Sequence, residues 1–280
     1  MKLRKEKVKK LFEKSIAKVK KIKNLKGGLS NDLFLINGVY VWRVFMNSLL
    51  DHKNEIVAMN ELDYFSIHYT DKDNICYEFI EGDNIDRASF KLRVKSVFKE
   101  LKKVHKLKIK TPHVWFDLTP KWLLQINNVE IRKRLKVQVQ KINDKLIALK
   151  TDNDNVFCHN DLISANVLFK EKKCFIIDWE FAGRNFYFYE LGNMICEYCI
   201  DYEREEYNFA PINLKLINRF ISDYDRDDDV SQETNVKKVK LGIEMSHLFW
   251  SIYSYAKLEN SNEFGFDYLK FAKSRFSQLK

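Results

Sequence analysis

Apolar residues recur at three- and four-residue steps at the start of the chain: Val8, Leu11, Phe12, Ile16, Val19 and Ile22. That spacing predicts an amphipathic helix over residues 1–22. The pattern breaks at Gly27-Gly28-Leu29-Ser30-Asn31 and the period then shortens. Leu33–Ile36 and Val39–Phe45 read as strands joined by Asn37-Gly38, a pair that accepts the positive φ values of a tight hairpin turn. Helical spacing returns over Leu49–Phe65, and Ile75–Ile80 reads as a short buried strand. The polar run Glu81-Gly82-Asp83-Asn84 marks a boundary. Beyond it, helical patterns cover Phe90–Leu107, Val129–Leu149, Tyr189–Ile200, Leu214–Tyr224, Val236–Leu258 and Phe266–Leu279. Between them lie short apolar runs at Val156–Cys158, Val167–Phe169 and Cys174–Ile177. There is no internal repeat. The order predicts an α+β chain with a small β-rich lobe, residues 1–82, and a larger, mainly helical lobe, residues 83–280.

Composition narrows the class. Hydrophobic residues make up 45% of the 280 positions and charged residues 31%, a globular balance with enough apolar side chain for a real core. With Gly at 8 positions and Pro at 3, an all-β chain of many tight turns is disfavoured. The net charge of +10 suggests a nucleic-acid partner until it is located. Residues 1–26 carry eleven lysines and Arg4 against Glu6 and Glu13, so the whole excess lies there and the remainder is neutral. The predicted first helix thus has a cationic face. No nucleic-acid partner is expected, and the favoured reading lays the helix on the body with its lysines in solvent. Weak contact of residues 1–26 with an anionic membrane surface is the remaining alternative. The N-terminal lysines leave no room for the apolar core of a secretory signal, so the five cysteines predict reduced thiols and a cytoplasmic protein. Cys196 and Cys199 are spaced C-x-x-C without a second pair, which on a helix is simply a shared face.

The densest chemistry lies in Cys158-His159-Asn160-Asp161-Leu162-Ile163-Ser164-Ala165-Asn166, which contains H-x-D-x-x-x-x-N. This is the spacing of a kinase catalytic loop. One carboxylate, Asp161, accepts the proton of an attacking hydroxyl, and a neutral amide, Asn166, holds a metal ion. Asp178 follows Phe175-Ile176-Ile177, and a carboxylate ending an apolar run is costly unless it binds something. Mg²⁺ bridging nucleotide phosphates suits Asp178 and Asn166 together.

The stretch from C-H-N-D-L-I-S-A-N-V-L-F to F-I-I-D-W-E-F-A-G closely resembles the choline/ethanolamine kinases, relatives of the aminoglycoside phosphotransferases with a protein-kinase-like fold. G-G-L-S-N at 27–31 is similar to that family's phosphate loop, V-W-R-V at 41–44 to its third strand, and L-F-W at 248–250 with the 266–276 segment to its C-terminal signature. The resemblance implies a two-lobed fold, with residues 1–82 binding ATP and residues 83–280 carrying catalysis and the alcohol site. Gly27 and Gly28 let the backbone approach phosphate, and Ser30 and Asn31 add a hydroxyl and an amide. Arg43 takes the place of a kinase lysine, with Glu55 on the next helix as its ion-pair partner. Glu78-Phe79-Ile80 precedes the boundary, where backbone groups meet adenine. Glu190 stands where the family usually has Asp and is read as a brace for the catalytic loop.

The alcohol site is read from aromatics. A quaternary ammonium offers no hydrogen bond, so ring faces and nearby carboxylates recognise it. Trp250 and Tyr253, about a helical turn apart, form two walls. The resemblance adds Phe271 as a third, and Glu180 and Asp161 are the nearest anions. The leading expectation is an ATP- and Mg²⁺-dependent kinase acting on choline. Ethanolamine, thiamine or an aminoglycoside as substrate, or a non-catalytic binding module on the same fold, are the alternatives.

Overall fold

The computed structural model describes residues 2–25, 31–84, 86–202, 207–226, 230–260 and 266–279. Its backbone contacts separate into two units, Met1–Gly82 and Asp83–Lys280.

In the first unit, helix α1 (Lys2–Ser15) precedes strands β1 (Ile22–Asn24), β2 (Asn31–Ile36) and β3 (Tyr40–Phe45). Helix α2 (Lys53–Glu61) then leads into β4 (Ile67–Thr70) and β5 (Asn74–Glu78). The strands form an antiparallel sheet in the order β1-β2-β3-β5-β4. Asn37 (φ 56°) and Gly38 (φ 77°) make the β2–β3 turn, as their sequence requires. Val8 and Phe12 of α1 pack on Phe34, Ile36, Trp42 and Cys76, while Lys7, Lys10 and Lys14 are exposed. Successive strand residues face opposite sides, so Trp42 joins this core and Arg43 turns toward α2.

The first helix is shorter than its periodicity predicts: α1 ends at Ser15, not at residue 22. The cause is Asn37. Its Oδ1 accepts from the Lys20 and Lys21 N–H groups, its Nδ2 donates to the Lys18 carbonyl, and its own N–H donates to the Lys21 carbonyl. The turn captures residues 18–21 as extended chain. Ile16, Val19 and Ile22 still pack against the same core; all three are β-branched, and Ile22 opens β1. Helix α2 is likewise shorter than the Leu49–Phe65 pattern, because Asn47 and Asp51 accept from the N–H groups of Leu49 and Lys53 and hold the preceding residues in turns.

The second unit starts with β6 (Asp83–Asn84) and α3 (Arg87–His105), capped by Asp86 accepting from Ser89 N–H at 2.6 Å. A π-helical turn over Val114–Leu118 runs into α4 (Thr119–Gln125), followed by α5 (Val129–Leu149). Short strands β7 (Asn155–Cys158), β8 (Val167–Lys170), β9 (Lys173–Ile176) and β10 (Gly183–Phe186) frame the loop singled out above, with pairings β10-β7 and β6-β8-β9. The remainder is α6 (Tyr187–Cys199), β11 (Ile200–Asp201), β12 (Asn208–Phe209), α7 (Leu214–Tyr224), α8 (Gln232–Asn260) and α9 (Tyr268–Ser277). Helix α6 is buried nearly all round and is the axis of the unit. It crosses α8 at Gly192 and Gly242, where a Cβ on Gly242 would lie 1.9 Å from the Phe188 carbonyl oxygen. All five cysteines are free thiols, and Cys196 and Cys199 are both buried on α6. No helix among the described residues is long and apolar enough to cross a membrane.

Candidate active site

The loop after β7 is held by its own side chains. His159 accepts the Asp161 N–H at Nδ1 (3.2 Å), so its proton sits on Nε2, 2.9 Å from the Ile177 carbonyl. Asn160 adopts a left-handed backbone (φ 68°), which an Asx residue tolerates. It is locked there: its Nδ2 donates to the Phe181 carbonyl at 2.9 Å and its Oδ1 accepts from Asn185 at 2.8 Å. Its N–H donates to Glu190 Oε1 at 2.8 Å, and Glu190 Oε2 lies 2.7 Å from His105 Nε2. His105 Nδ1 in turn meets the Tyr224 hydroxyl at 2.6 Å. Glu190 therefore does brace the loop, with its extra methylene accommodated and His105 behind it. His105, Cys158 and Glu190 also bring potential ligand atoms within 4.8 Å of one another. With both imidazole nitrogens already in hydrogen bonds, the group is a polar brace.

This bracing fixes Asp161 and its neighbours. Asn166 donates through Nδ2 to the Asp161 carbonyl (2.9 Å) and to Asp161 Oδ2 (3.2 Å), which turns its Oδ1 acceptor the other way. Asp178, just beyond β9, is a second non-glycine in the left-handed region, at φ 64°. Left-handed backbone at non-glycine residues next to Asp161 and at Asp178 is the kind of strain that functional sites store. Asp161 is half-buried, and its carboxyl is pushed well above the usual carboxylate range, first by desolvation, then by the charges of Glu197, Asp178 and Glu180. Carboxylates that repel one another, beside an amide oxygen turned outward, are the hard-oxygen donor set that a Mg²⁺ ion takes. Asn166 and Asp178 offer oxygen donors of the kind that ion takes.

Trp250, Tyr253 and Phe271 are all buried at 7%, 4% and 6% exposure. Trp250 donates from Nε1 to Asn193 Oδ1 at 2.7 Å, and its ring meets Tyr253 edge-on at 5.6 Å. Tyr253 also packs on Trp122 and Phe181. Phe271 carries the Arg275 guanidinium over its ring at 4.9 Å and lies beside Tyr202 at 6.5 Å. Glu180 is buried near Asp161. Glu197 is the residue the sequence reading missed. It is the foremost of the charges acting on Asp161, and it accepts from the Tyr202 hydroxyl at 2.7 Å and from Arg275. Its signal was present: Glu190, Asn193 and Glu197 are three polar residues at i, i+3 and i+7 on an otherwise apolar helix, hence one face.

In the first unit Arg43 and Glu55 form an ion pair at 2.6 Å with side chains 4% and 1% exposed, so the pair is interior, not a surface contact. Asn31 starts β2, and its Oδ1 accepts from the Met46 N–H at 3.1 Å. Glu78 ends β5 with its carboxylate 3.2 Å from His68 Nε2. Phe79 is exposed, with its N–H donating to the Val39 carbonyl at 2.6 Å, and Ile80 is half-buried. Gly27, Gly28 and Ser30 lie outside the described residues.

A family model described as choline/ethanolamine kinase matches residues 22–280. The chain belongs to the choline/ethanolamine kinase family. Among relatives of this kinase, a probable ethanolamine kinase A of Dictyostelium discoideum is 27% identical over 92% of the chain and 84% of its own length. A probable choline kinase 2 of Arabidopsis thaliana is 34% identical over 52% of the chain, a match that spans 45% of the plant protein. In structure, a choline kinase from Streptococcus pneumoniae superposes with a TM-score of 0.76 at 18% identity, covering 99% of this chain and 97% of that one. A structure of LicA in complex with AMP superposes with a TM-score of 0.71 at 18% identity, covering 97% of this chain and 96% of that one. The fold of this choline/ethanolamine kinase family member is thus the two-lobed protein-kinase-like fold.

Proposed function

We propose that this kinase transfers the γ-phosphoryl group of ATP to the hydroxyl of choline. The new bond joins the choline oxygen to the γ-phosphorus, the bridging bond to the β-phosphate breaks, and the hydroxyl proton passes to Asp161. A carboxylate whose proton affinity is raised by burial and by its neighbours is a better acceptor than an exposed one. Asn166 and Asp178 would hold Mg²⁺, which when bound supplies neutralisation of phosphate charge. Arg43, held by Glu55, offers a fixed guanidinium to phosphate oxygens, and the 27–31 loop and residues 78–80 serve the nucleotide. Glu190 keeps the Asn160 N–H and thereby the Asp161 backbone in place. Most of the rate then comes from placement and charge.

The observation that carries choline is the state of Glu197. Its Oε1 already accepts from Arg275 and its Oε2 from Tyr202, which takes up part of its acceptor capacity, while the Tyr202 and Phe271 rings lie side by side and the Trp250 indole is hydrogen-bonded to Asn193 of the same helix as Glu197. That balance suits a trimethylammonium, which asks for ring faces and nearby negative charge but no hydrogen bond. Ethanolamine is the second reading, favoured by the Dictyostelium relative whose match runs over 92% of the chain. The test is kcat/KM for choline and ethanolamine in wild type and Trp250→Ala. Choline is expected to be preferred, and the variant to lose about 2- to 30-fold on choline and less on ethanolamine, the worth of one cation–π wall. A wild-type preference for ethanolamine overturns the choline assignment, and equal losses show that Trp250 is packing alone.

A further inference from the structure

We propose that Arg275 is the positioning residue of the amino-alcohol subsite: one buried guanidinium that sets Glu197 and the aromatic walls into a single arrangement and biases it toward a quaternary ammonium. The proposal rests on the amino-alcohol reading given above.

The geometry is a hub. Arg275 of α9 is fully buried, and its Nη2 donates to Glu197 Oε1 on α6. Its Nη1 lies 3.5 Å from Ser246 Oγ on α8. Ser246 Oγ donates to Asn193 Oδ1 at 2.8 Å, the same oxygen that accepts the Trp250 indole N–H at 2.7 Å. Phe271, four residues earlier in α9 and so on the same face, lies under the guanidinium at 4.9 Å, and Phe209 is 5.0 Å from it. The carboxylate, the indole and the phenyl ring come from three different helices, and Arg275 touches the carboxylate and the phenyl ring directly and is linked to the indole through Ser246 and Asn193.

A buried ion pair is a poor stability device, because desolvation offsets most of the attraction and apolar side chains of equal volume hold as well. Its value lies in fixing geometry. A forked planar cation can contact a carboxylate and a hydroxyl at once and still lie flat on a ring. It also sets the character of the subsite. With Arg275 on Oε1 and Tyr202 on Oε2, Glu197 has fewer acceptor sites left for an N–H donor. Loosen Arg275 and Glu197 gains acceptor capacity for N–H groups, which helps a primary ammonium and does nothing for a trimethylammonium.

The experiment is steady-state kinetics on the full-length chain with choline, ethanolamine and ATP varied in turn, in wild type and R275K. Lysine keeps the charge but not the fork. The expected result is a choline KM raised about 10-fold, a choline-to-ethanolamine ratio of kcat/KM reduced about 5-fold or more, and kcat and the ATP KM within about 2-fold of wild type. A loss of packing alone would lower thermal stability without changing that ratio. If R275K does not fold, S246A, which leaves the ion pair in place and cuts the link to Asn193, should raise the choline KM about 3-fold with the ATP KM unchanged. An unchanged choline KM and substrate ratio in a folded R275K overturns the role of Arg275 while the amino-alcohol reading stands; if R275K does not fold, an unchanged choline KM in S246A does the same. Wild-type enzyme that phosphorylates neither alcohol overturns both.

Discussion

Asp161 sits half-buried among Glu197, Asp178 and Glu180, and the protein bears a cost for keeping it there. Its folded-state pKa is raised above the ordinary carboxylate value, so folding favours the protonated form. The stability contribution is full below the ordinary value and is lost as pH rises through the raised folded value. Asp161→Asn removes the charge and keeps the shape. The expected outcome is a kcat lower by about 10²-fold or more with MgATP affinity retained, since the side chain acts on the hydroxyl proton. Without divalent cation, the variant should melt no lower than wild type at pH 7, and any gain should shrink toward pH 4. Near-normal turnover would show that another group takes the proton. A marked loss of thermal stability would show that the carboxylate is structural.

At the scale of elements, the site depends on how closely α6 and α8 approach. Asn193 of α6 holds both Ser246 and Trp250 of α8, and those hydrogen bonds of 2.8 and 2.7 Å exist because Gly192 and Gly242 let the backbones meet. A methyl group at Gly242 would sit 1.9 Å from the Phe188 carbonyl oxygen and 2.6 Å from its carbon, both rigid backbone. Gly242→Ala must push the helices apart. It should destabilise the protein by about 1–3 kcal/mol, as overpacking does. Because the displacement falls on Trp250, the amino-alcohol KM should rise more than the ATP KM. Thermal melting and kinetics read the two effects, and an unchanged melting temperature would mean that the crossing relaxes elsewhere. The same elements show why Glu197 escaped the sequence reading. Its i, i+3, i+7 relation to Glu190 and Asn193 is local and visible, but nothing local says that this face meets the catalytic loop.

Across the whole molecule, each unit has its own core. In the first, Val8 and Phe12 anchor α1 on Phe34, Ile36 and Trp42, and the cationic side of the helix is left exposed. Phe12→Ala empties a fully buried position and should cost the unit about 3–5 kcal/mol. Hydrogen exchange should then quicken in β2 and β3 and stay slow in α6 and α8, whereas acceleration everywhere would show that the two cores unfold together. The basic segment shows how far pattern alone reaches. Its apolar residues all pack against one core, yet the helix ends at Ser15, because an asparagine in a turn beyond it captures the next residues as extended chain. What the sequence determined by itself is what lies within a few residues or one turn: the Asn37-Gly38 hairpin, the order of strands and helices, and the loop in which Asp161 and Asn166 are hydrogen-bonded neighbours. The tertiary structure alone decided the rest. Glu197, Tyr202 and Arg275 join Trp250 and Phe271 only through the packing of α6, α8 and α9. Long-range hydrogen bonds and buried charge depend on which helix faces meet, a property of the folded core and not of any stretch of chain.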